Sequence, residues 1–438
     1  MSENTAPAAH DPYHAFRFRD YRFFAAGNFL SVVGRQMLSV AIGWEVYQRT
    51  HMASMLGYVG LVLAIPTIVF AIPAGQVADR CSRKSILLFM QLITSVSSIG
   101  LVCWSQMHAS LAWMFVLLFL SGISRTFSWA TRGPFMANLV PPEALANAVT
   151  WNSSTFQIAA VTGPALAGFL LVKLGFSWVY GLDAMFALLF FAMLLPIKHR
   201  QTQALQPSQG WGDVFSGLKF VCEKKIILAT ITLDLFAVLF GGATALLPVF
   251  ADDILHCGPV GLGWLRAAPS VGAVAMGVVV AHLPPMRRAG RAMLMAVAAF
   301  GVVTVVFGLS QSFWLSMLAL VLAGAVDNIS VIVRHTLVQL LTPDHMRGRV
   351  AAVNNVFIGA SNELGAFESG ITAAWFGPVI SVVGGGIVTV LVVFGVMRAW
   401  PQVMQLGTFE SMKPIENNEE APVSEDELRT PEELAKEE

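Results

Sequence analysis

Five ionisable residues interrupt long apolar runs of the sequence: Arg35, Arg125, Asp234, Asp327 and Glu363. A charge inside a lipid bilayer is costly, so such residues pair with one another, contact water or take part in transport. Burial also lets a carboxylate exchange a proton near neutral pH. The pattern therefore predicts proton coupling, with Asp327 as the first candidate and Asp234 and Glu363 as the others. A set of purely structural ion pairs is the alternative interpretation.

The sequence contains two related stretches, one in each half. When Gly122 is placed on Gly324, Arg125 falls on Asp327, and the match continues without a gap as far as Gly370. Two related membrane halves that face each other are typical of transporters with a binding site at the interface. We therefore expect Arg125 and Asp327 to lie close together as counter-charges.

The composition excludes an ordinary soluble protein. Of the 438 residues, 55% are hydrophobic and 12% are charged, and the mean hydropathy is +0.66, whereas soluble domains contain about 25% charged residues. The sequence has no Ser-His-Asp set, phosphate-binding loop or metal-ligand spacing, and its four cysteines are scattered. We therefore expect no enzyme activity, no cofactor, no metal and no nucleic-acid partner.

The apolar runs predict an all-α integral membrane protein, because about 20 apolar residues suffice for a helix to cross the bilayer. We predict twelve transmembrane helices in two pseudo-symmetric six-helix bundles. Helices 1 to 12 are predicted at 22–48, 54–78, 84–106, 110–131, 148–172, 177–196, 226–251, 261–283, 291–310, 313–334, 350–372 and 377–398. The predicted segments are a cytoplasmic N-terminus (1–21), the first bundle (22–198), a cytoplasmic linker with an amphipathic helix (199–225), the second bundle (226–400) and a tail (401–438).

The distribution of Lys and Arg predicts the orientation in the membrane. With both termini in the cytoplasm, only Arg49 and Lys173 fall in outer loops, as expected when basic residues stay inside. We therefore predict a multi-pass protein of the cell membrane, which in a bacterium is the inner membrane. From Glu410 onward the chain has 11 acidic and 3 basic residues, a net charge of −8, and such a segment is expected to be disordered.

Polar residues within the predicted helices concentrate on helices 1, 4, 7, 10 and 11. On helix 1, Asn28 and Arg35 share one face, because residues seven apart return to the same side of a helix. These five helices are expected to line a wet path or a tight polar interface. The candidate residues of a substrate cavity are Asn28, Arg35, Gln36, Arg125, Asn328, Asn355 and Asn362.

Other charged residues lie nearer the predicted helix ends. Arg132 and Arg334 are expected to extend to the cytoplasmic surface, as long basic side chains do at membrane boundaries. Asp183 is expected to cap or anchor the end of its helix. Glu45 and Arg266 lie near the outer surface, where they are either solvated or part of a gate.

The loop between helices 2 and 3 reads GQVADRCSRK, from Gly75 to Lys84. It resembles the signature loop of the major facilitator superfamily, G-x-L-A-D-R-x-G-R-K, although Val77 and Ser82 depart from that pattern. The matching residues are Gly75, Asp79, Arg80, Arg83 and Lys84. The resemblance implies a conformational latch between the halves, with a partner in the Arg347–Arg349 region. The alternative is that the basic residues only set the topology.

Helix 5 contains VTGPALAG, from Val161 to Gly168. This stretch resembles the G-x-x-x-G-P-x-x-G-G motif associated with antiporters of the same superfamily, although Ala159 and Ala167 replace two of its glycines. The matching residues are Gly163, Pro164 and Gly168. A Gly-Pro pair kinks a membrane helix and lets a neighbour approach closely, so simple packing is the alternative reading.

Three further stretches resemble the branch of this superfamily that holds the enterobactin exporter and macrolide efflux proteins. They are Phe18–Gln48, Trp211–Val221 and Met346–Gly370. The resemblance implies the major facilitator fold, alternating access and, most simply, proton-coupled export of a small amphipathic molecule such as a drug or siderophore. The alternatives are a symporter that imports a metabolite, a lysolipid flippase, and a membrane sensor or scaffold that transports nothing. A monomer suffices, since each chain carries both halves.

Overall fold

The computed structural model describes residues 11–198, 211–284, 286 and 288–407. Regular secondary structure in these ranges is entirely helical. Ten helices are long and apolar enough to cross a membrane by length and composition. Helix 1 and helix 11, which are more polar, pack among these ten. The chain is thus an all-α membrane protein with two bundles of six spanning helices, while the predicted tail lies almost wholly outside the described residues.

The first bundle holds helices 1 to 6, and the second holds helices 7 to 12. The first six are Arg19–Thr50, Ala53–Arg80, Arg83–Met107, Leu111–Ala137, Pro142–Lys173 and Phe176–Leu194. The second six are Lys225–Ile254, Gly258–His282, Ala289–Leu309, Phe313–Leu341, Asp344–Phe376 and Pro378–Ala399. A linker helix, Trp211–Glu223, precedes helix 7 and packs against helix 11. Helices 5 and 11 begin about two turns earlier than the sequence predicts, because polar first turns hide their starts.

Helix 7 is interrupted, whereas the sequence predicts a continuous helix. Its first section ends at Phe240, and the chain continues through a 3-10 turn at Ala243–Leu246 to a π-helical turn at Phe250–Ile254. Gly241–Gly242 gives the backbone freedom at the break, and Pro248 lacks the N–H that a regular helix requires. The last third of helix 7 is therefore separated from the rest by a break in the helix.

The two ends of the bundles differ in how the halves meet. We call the end that carries the linker the linker side, and the end with the loop Thr50–Ala53 the distal side. On the distal side, helix 2 packs against helix 11 and helix 5 against helix 8. A Cβ on Gly57 would lie 2.9 Å from the Phe367 carbonyl oxygen, and one on Gly370 would lie 2.5 Å from the Gly57 Cα. The backbones are thus in direct contact there.

Towards the linker side the two halves diverge. Gly75 follows Gly57 by about five helical turns and so lies on nearly the same face of helix 2, yet a Cβ added to Gly75 would meet nothing within 4 Å. The buried apolar clusters show the same division. The largest includes residues of both halves on the distal side, whereas separate clusters fill the linker side of each half. The structure is therefore closed on the distal side and open on the linker side.

Candidate substrate and proton site

One ion pair connects the two halves near the middle of the membrane. Arg125 of helix 4 lies 2.6 Å from the Glu363 carboxylate of helix 11, and its guanidinium also donates to the Thr67 hydroxyl of helix 2 at 3.3 Å. Of the ion pairs between described residues, this is the one that joins the halves. The pair lies where the contact between helices 2 and 11 gives way to open space, so its state is tied to the conformation.

The expected pairing of Arg125 with Asp327 is wrong, because Arg125 pairs with Glu363 instead. Pseudo-symmetry places equivalent residues on equivalent faces of the two halves, but it does not say which side chains meet across the interface. Asp327 is half-buried and makes no hydrogen bond or ion pair with any described residue. Asn328 lies against helix 8, its amide nitrogen 3.4 Å from where a Cβ on Gly277 would be.

Two more arginines lie beside Arg125 in the first half. The Arg132 guanidinium donates to the Ser31 hydroxyl at 3.0 Å and lies over the Phe190 ring, 5.5 Å from its centroid. Arg35 is close enough to Arg125 for their charges to repel, and Arg132 is likewise close to Arg35. Arg132 therefore lies inside the bundle and does not extend to the surface as expected.

Asp183 provides the negative charge for this group from within the first half. It is 2% exposed, accepts a hydrogen bond from the Ser98 hydroxyl at 2.6 Å and attracts Arg35. A Cβ on Gly34 would come within 2.6 Å of its carboxylate. The prediction that Asp183 caps a helix end is therefore wrong, since Gly175 caps helix 6. Gly34 of helix 1 leaves room for the Asp183 carboxylate. This glycine is the feature of the sequence that could have indicated the position of Asp183.

Asp234 forms a different ion pair, which lies within the second half. Its carboxylate contacts the guanidinium of Arg334, joining helix 7 to helix 10, and Arg334 is 3% exposed. The prediction that Arg334 extends to the surface is wrong, because the carboxylate on the neighbouring helix holds it inside. Both partners belong to one half, so the pair need not break when the halves move.

The predicted amides divide into two groups. Asn28 donates to the Asn152 side chain at 3.2 Å, and Gln36 packs against Gly163, where helices 1 and 5 come close. Asn355 and Asn362 are exposed, and the Asn362 amide bonds back to its own helix. Asn28 and Gln36 thus lie between helices of the first half near the arginines, whereas the two helix 11 amides contact neither the arginines nor Asp327.

Polar contacts also close the distal side, and we call these residues the distal gate. The Tyr47 hydroxyl of helix 1 bonds to the Asp253 carboxylate in the π-helical turn of helix 7. Arg266 of helix 8 donates to the Ser39 hydroxyl at 3.1 Å and to the Thr244 carbonyl at 2.7 Å. Sequence reasoning missed Tyr47 and Asp253. An aspartate at the end of an apolar run is normally interpreted as a solvent-exposed residue at the end of a helix.

A small cavity lies just inside the distal gate. It has a volume of about 100 Å³ and is lined by Ser39, Arg266 and Glu363, together with apolar residues of helices 1, 2 and 7. Glu363 therefore lies between two arginines, Arg125 from the opposite half and Arg266 from its own half. Glu45, in contrast, is buried at 1% exposure and forms a separate ion pair with Arg49.

The signature loop forms no cross-half contact between described residues in this conformation. Asp79 is half-buried without a hydrogen bond or ion pair to a described residue, and Arg80 is exposed. Lys84 donates to the carbonyls of Leu195 and Ile197 at 2.7 and 2.8 Å, and so fastens the loop to the end of helix 6. Arg83 reaches the Ala78 carbonyl at 3.4 Å. A latch through Asp79 stays a prediction for the conformation that is closed on the linker side.

The Gly-Pro motif of helix 5 lies at two close contacts. Gly163 faces helix 1, where a Cβ would lie 2.6 Å from the Gln36 Cβ. Gly168 faces helix 8, where a Cβ would lie 2.6 Å from the Pro259 carbonyl oxygen and 3.1 Å from the Val260 Cα. Pro164 presents its carbonyl to Gly263 across the same interface. The motif therefore lets the two halves touch on the distal side.

Gly168→Leu is expected to keep the distal side from closing, because the new side chain would collide with the backbone of helix 8. A cysteine placed at Ser39, in a background without native cysteines, reports the change through reaction with an impermeant maleimide added from the distal side. We expect labelling to become several-fold faster. Gly181→Leu is the matched control, since a Cβ there meets nothing within 4 Å. Unchanged labelling in Gly168→Leu would contradict this account of the motif.

Comparison with known proteins identifies the family. The family model of the Major Facilitator Superfamily matches residues 24–366. The chain is 25% identical over 390 residues to the enterobactin exporter EntS of Citrobacter koseri, covering 87% of this chain and 93% of that protein. It has the fold of a POT peptide transporter (TM-score 0.73, 11% identity, 91% and 100% of the two chains covered). It also has the fold of an inward-facing bacterial homologue of the human lysosomal transporter Spinster (TM-score 0.70, 14% identity, 90% and 99% covered). The chain belongs to the Major Facilitator Superfamily and is a membrane transporter, not an enzyme.

Proposed function

We propose that the protein exports a small amphipathic molecule in exchange for protons, by alternating access. The observation that carries this proposal is the Arg125–Glu363 pair, which links the halves at the point where they diverge. A carboxylate that must lose or gain a partner when the halves rock is suited to couple a proton to that motion. Export as the direction is supported by the similarity to the enterobactin exporter.

The orientation follows from the basic residues. Lys and Arg of the loops lie mainly on the linker side, which the positive-inside rule assigns to the cytoplasm. Both termini are then cytoplasmic, and the structure corresponds to the inward-open state of a protein in the cell membrane, the inner membrane in a bacterium. A single chain contains both halves and the whole site, so a monomer is sufficient.

Glu363 is the best candidate for the coupling carboxylate. Asp234 pairs with Arg334 inside one half, and rocking of the halves does not require that pair to break. Asp327 is half-buried, makes no hydrogen bond or ion pair with a described residue, and is the second candidate. Glu363 alone faces one arginine from each half, Arg125 and Arg266. Protonation would neutralise it and remove its attraction for both.

The cycle follows from this geometry. In the inward-open state Glu363 is ionised and paired with Arg125, and its charge helps to hold the distal side closed. A substrate that enters from the cytoplasm competes for this pair, lets the distal side open and leaves to the outside. A proton from outside then neutralises Glu363, so that the distal side closes again without the ion pair. Loss of that proton to the cytoplasm restores the starting state.

Everted membrane vesicles test the proposal. Vesicles from a strain without its major exporters are acidified inside and loaded with a pH-sensitive dye, and antibiotics, dyes, siderophores and lysolipids are added in turn. We expect at least one compound to release protons only when the protein is present. Proton movement in the opposite direction would indicate symport, and a response to lysolipids alone would indicate a flippase. No response from folded, inserted protein to any compound would contradict proton-coupled export.

A further inference from the structure

The first half holds more positive charge than its own carboxylates neutralise. Arg132 bonds to Ser31, one helical turn before Arg35 on helix 1, and Arg35 lies close enough to Arg125 for their charges to repel. Two carboxylates face them, Asp183 from the same half and Glu363 from the other. The group, which we call the arginine cluster, therefore carries one positive charge in excess when all five residues are ionised.

The cluster also has hydrogen-bond donors that find no acceptor. The Nη2 atom of Arg35 and the Nε atom of Arg132 are fully buried and make no hydrogen bond. A buried donor left unpaired is unfavourable, and more so when the group is charged. Asp327 of the second half makes no ion pair with either arginine, so it does not supply the missing negative charge.

We propose that the substrate is an organic anion and that its carboxylate, or a similar planar oxyanion, binds the arginine cluster. A guanidinium presents a rigid fork of donors that matches the two oxygens of a carboxylate. The anion would compete with Glu363 for Arg125 and would supply the negative charge that Arg35 and Arg132 lack.

This inference rests on the proposed function and deepens it by giving the charge of the substrate. An anion at Arg125 replaces the Glu363 carboxylate as the partner of that arginine. One negative charge, from either the substrate or Glu363, is thus available to Arg125 at any time. A neutral or cationic substrate would leave the Arg125–Glu363 pair intact.

A binding experiment that needs no proton gradient tests the inference separately. Naphthalene-2-carboxylate, naphthalene-2-carboxamide and 2-naphthylmethylammonium share one ring system and differ in charge. Thermal unfolding of the purified full-length protein in detergent is followed with each probe in turn. We expect the carboxylate to raise Tm in a saturable manner and the other two probes to have little effect. Equal stabilisation by all three probes would overturn the proposal, as would saturable stabilisation by chloride or phosphate alone.

Two variants with opposite expected effects distinguish a loss of binding at the arginine cluster from misfolding of the protein. Arg35→Gln should weaken carboxylate binding about tenfold or more, since it removes a charge-assisted hydrogen bond. Glu363→Gln should tighten carboxylate binding, because it frees Arg125. Arg22→Gln, which removes an exposed arginine from the linker end of helix 1, is the matched control. A structural defect would weaken binding in both cluster variants, and that result would also overturn the proposal.

The outcomes separate this inference from the proposed function. Carboxylate binding that depends on Arg35, without proton release in vesicles, would support an anion site and contradict proton-coupled export. Proton release driven equally by neutral and cationic compounds, and unchanged in Arg35→Gln, would support export and contradict an anionic substrate.

Discussion

Glu363→Gln is expected to abolish proton-driven accumulation of substrate while leaving substrate exchange across the membrane intact. Glutamine keeps the size and hydrogen-bonding capacity of the side chain but cannot bind or release a proton. It also removes the charge that holds Arg125 across the interface. The transporter would therefore still move between its two states with substrate bound, but a pH gradient would no longer drive the movement in one direction.

Two assays in proteoliposomes measure this difference. Uptake driven by a pH gradient should fall at least tenfold, and counterflow without a gradient should continue. Glu368→Gln is the matched control, because Glu368 lies on the same helix and its carboxylate accepts a hydrogen bond from the adjacent Ser369 hydroxyl. If Glu363→Gln keeps its gradient-driven uptake and Asp327→Asn loses it, the coupling carboxylate is Asp327, and the mechanism proposed above must be revised.

Breaking the Asp234–Arg334 pair is expected to destabilise the protein strongly. Removing one partner of a buried ion pair leaves the other charge without compensation, which costs about 3–5 kcal/mol. Asp234→Asn and Arg334→Gln should therefore each lower Tm by several degrees. The double variant Asp234→Leu/Arg334→Leu should recover most of the loss, since apolar residues replace a buried pair at little cost.

Thermal unfolding of the purified variants in detergent checks this order. Arg398→Gln, which removes an exposed arginine near the end of helix 12, is the control and should leave Tm nearly unchanged. A double variant less stable than both single variants would show that the pair does more than compensate buried charge. Single variants with the stability of the parent would mean that water reaches Asp234 and Arg334.

The sequence predicts the architecture well, because apolar length and the distribution of basic residues depend only on the membrane. It also singles out Arg125, Asp234 and Glu363 as residues that require partners. It does not predict the partners themselves. Glu363 meets Arg125 because helix 11 crosses helix 2 on the distal side, and that crossing depends on which conformation the protein adopts.

Residues near helix ends show a second limit of sequence reasoning. Asp183 and Arg334 both lie within a few turns of a membrane boundary, where a charged side chain most simply reaches water. Each is instead drawn inward by a specific neighbour, Ser98 for Asp183 and Asp234 for Arg334. Hydropathy along one helix carries no information about the side chains of the next helix.

The break in helix 7 allows the last part of that helix to move separately from the helices around it. Asp253 lies beyond Gly241–Gly242, whereas Gly168 and Gly263 join helices that are not interrupted there. Bending at the two glycines can release Asp253 from Tyr47 while helices 5 and 8 stay in contact. Water and protons would then reach the small cavity beside Glu363 without separation of the two halves. Binding of the proton and release of the transported molecule would then occur at different times. This separation limits the leakage of protons that is not coupled to transport.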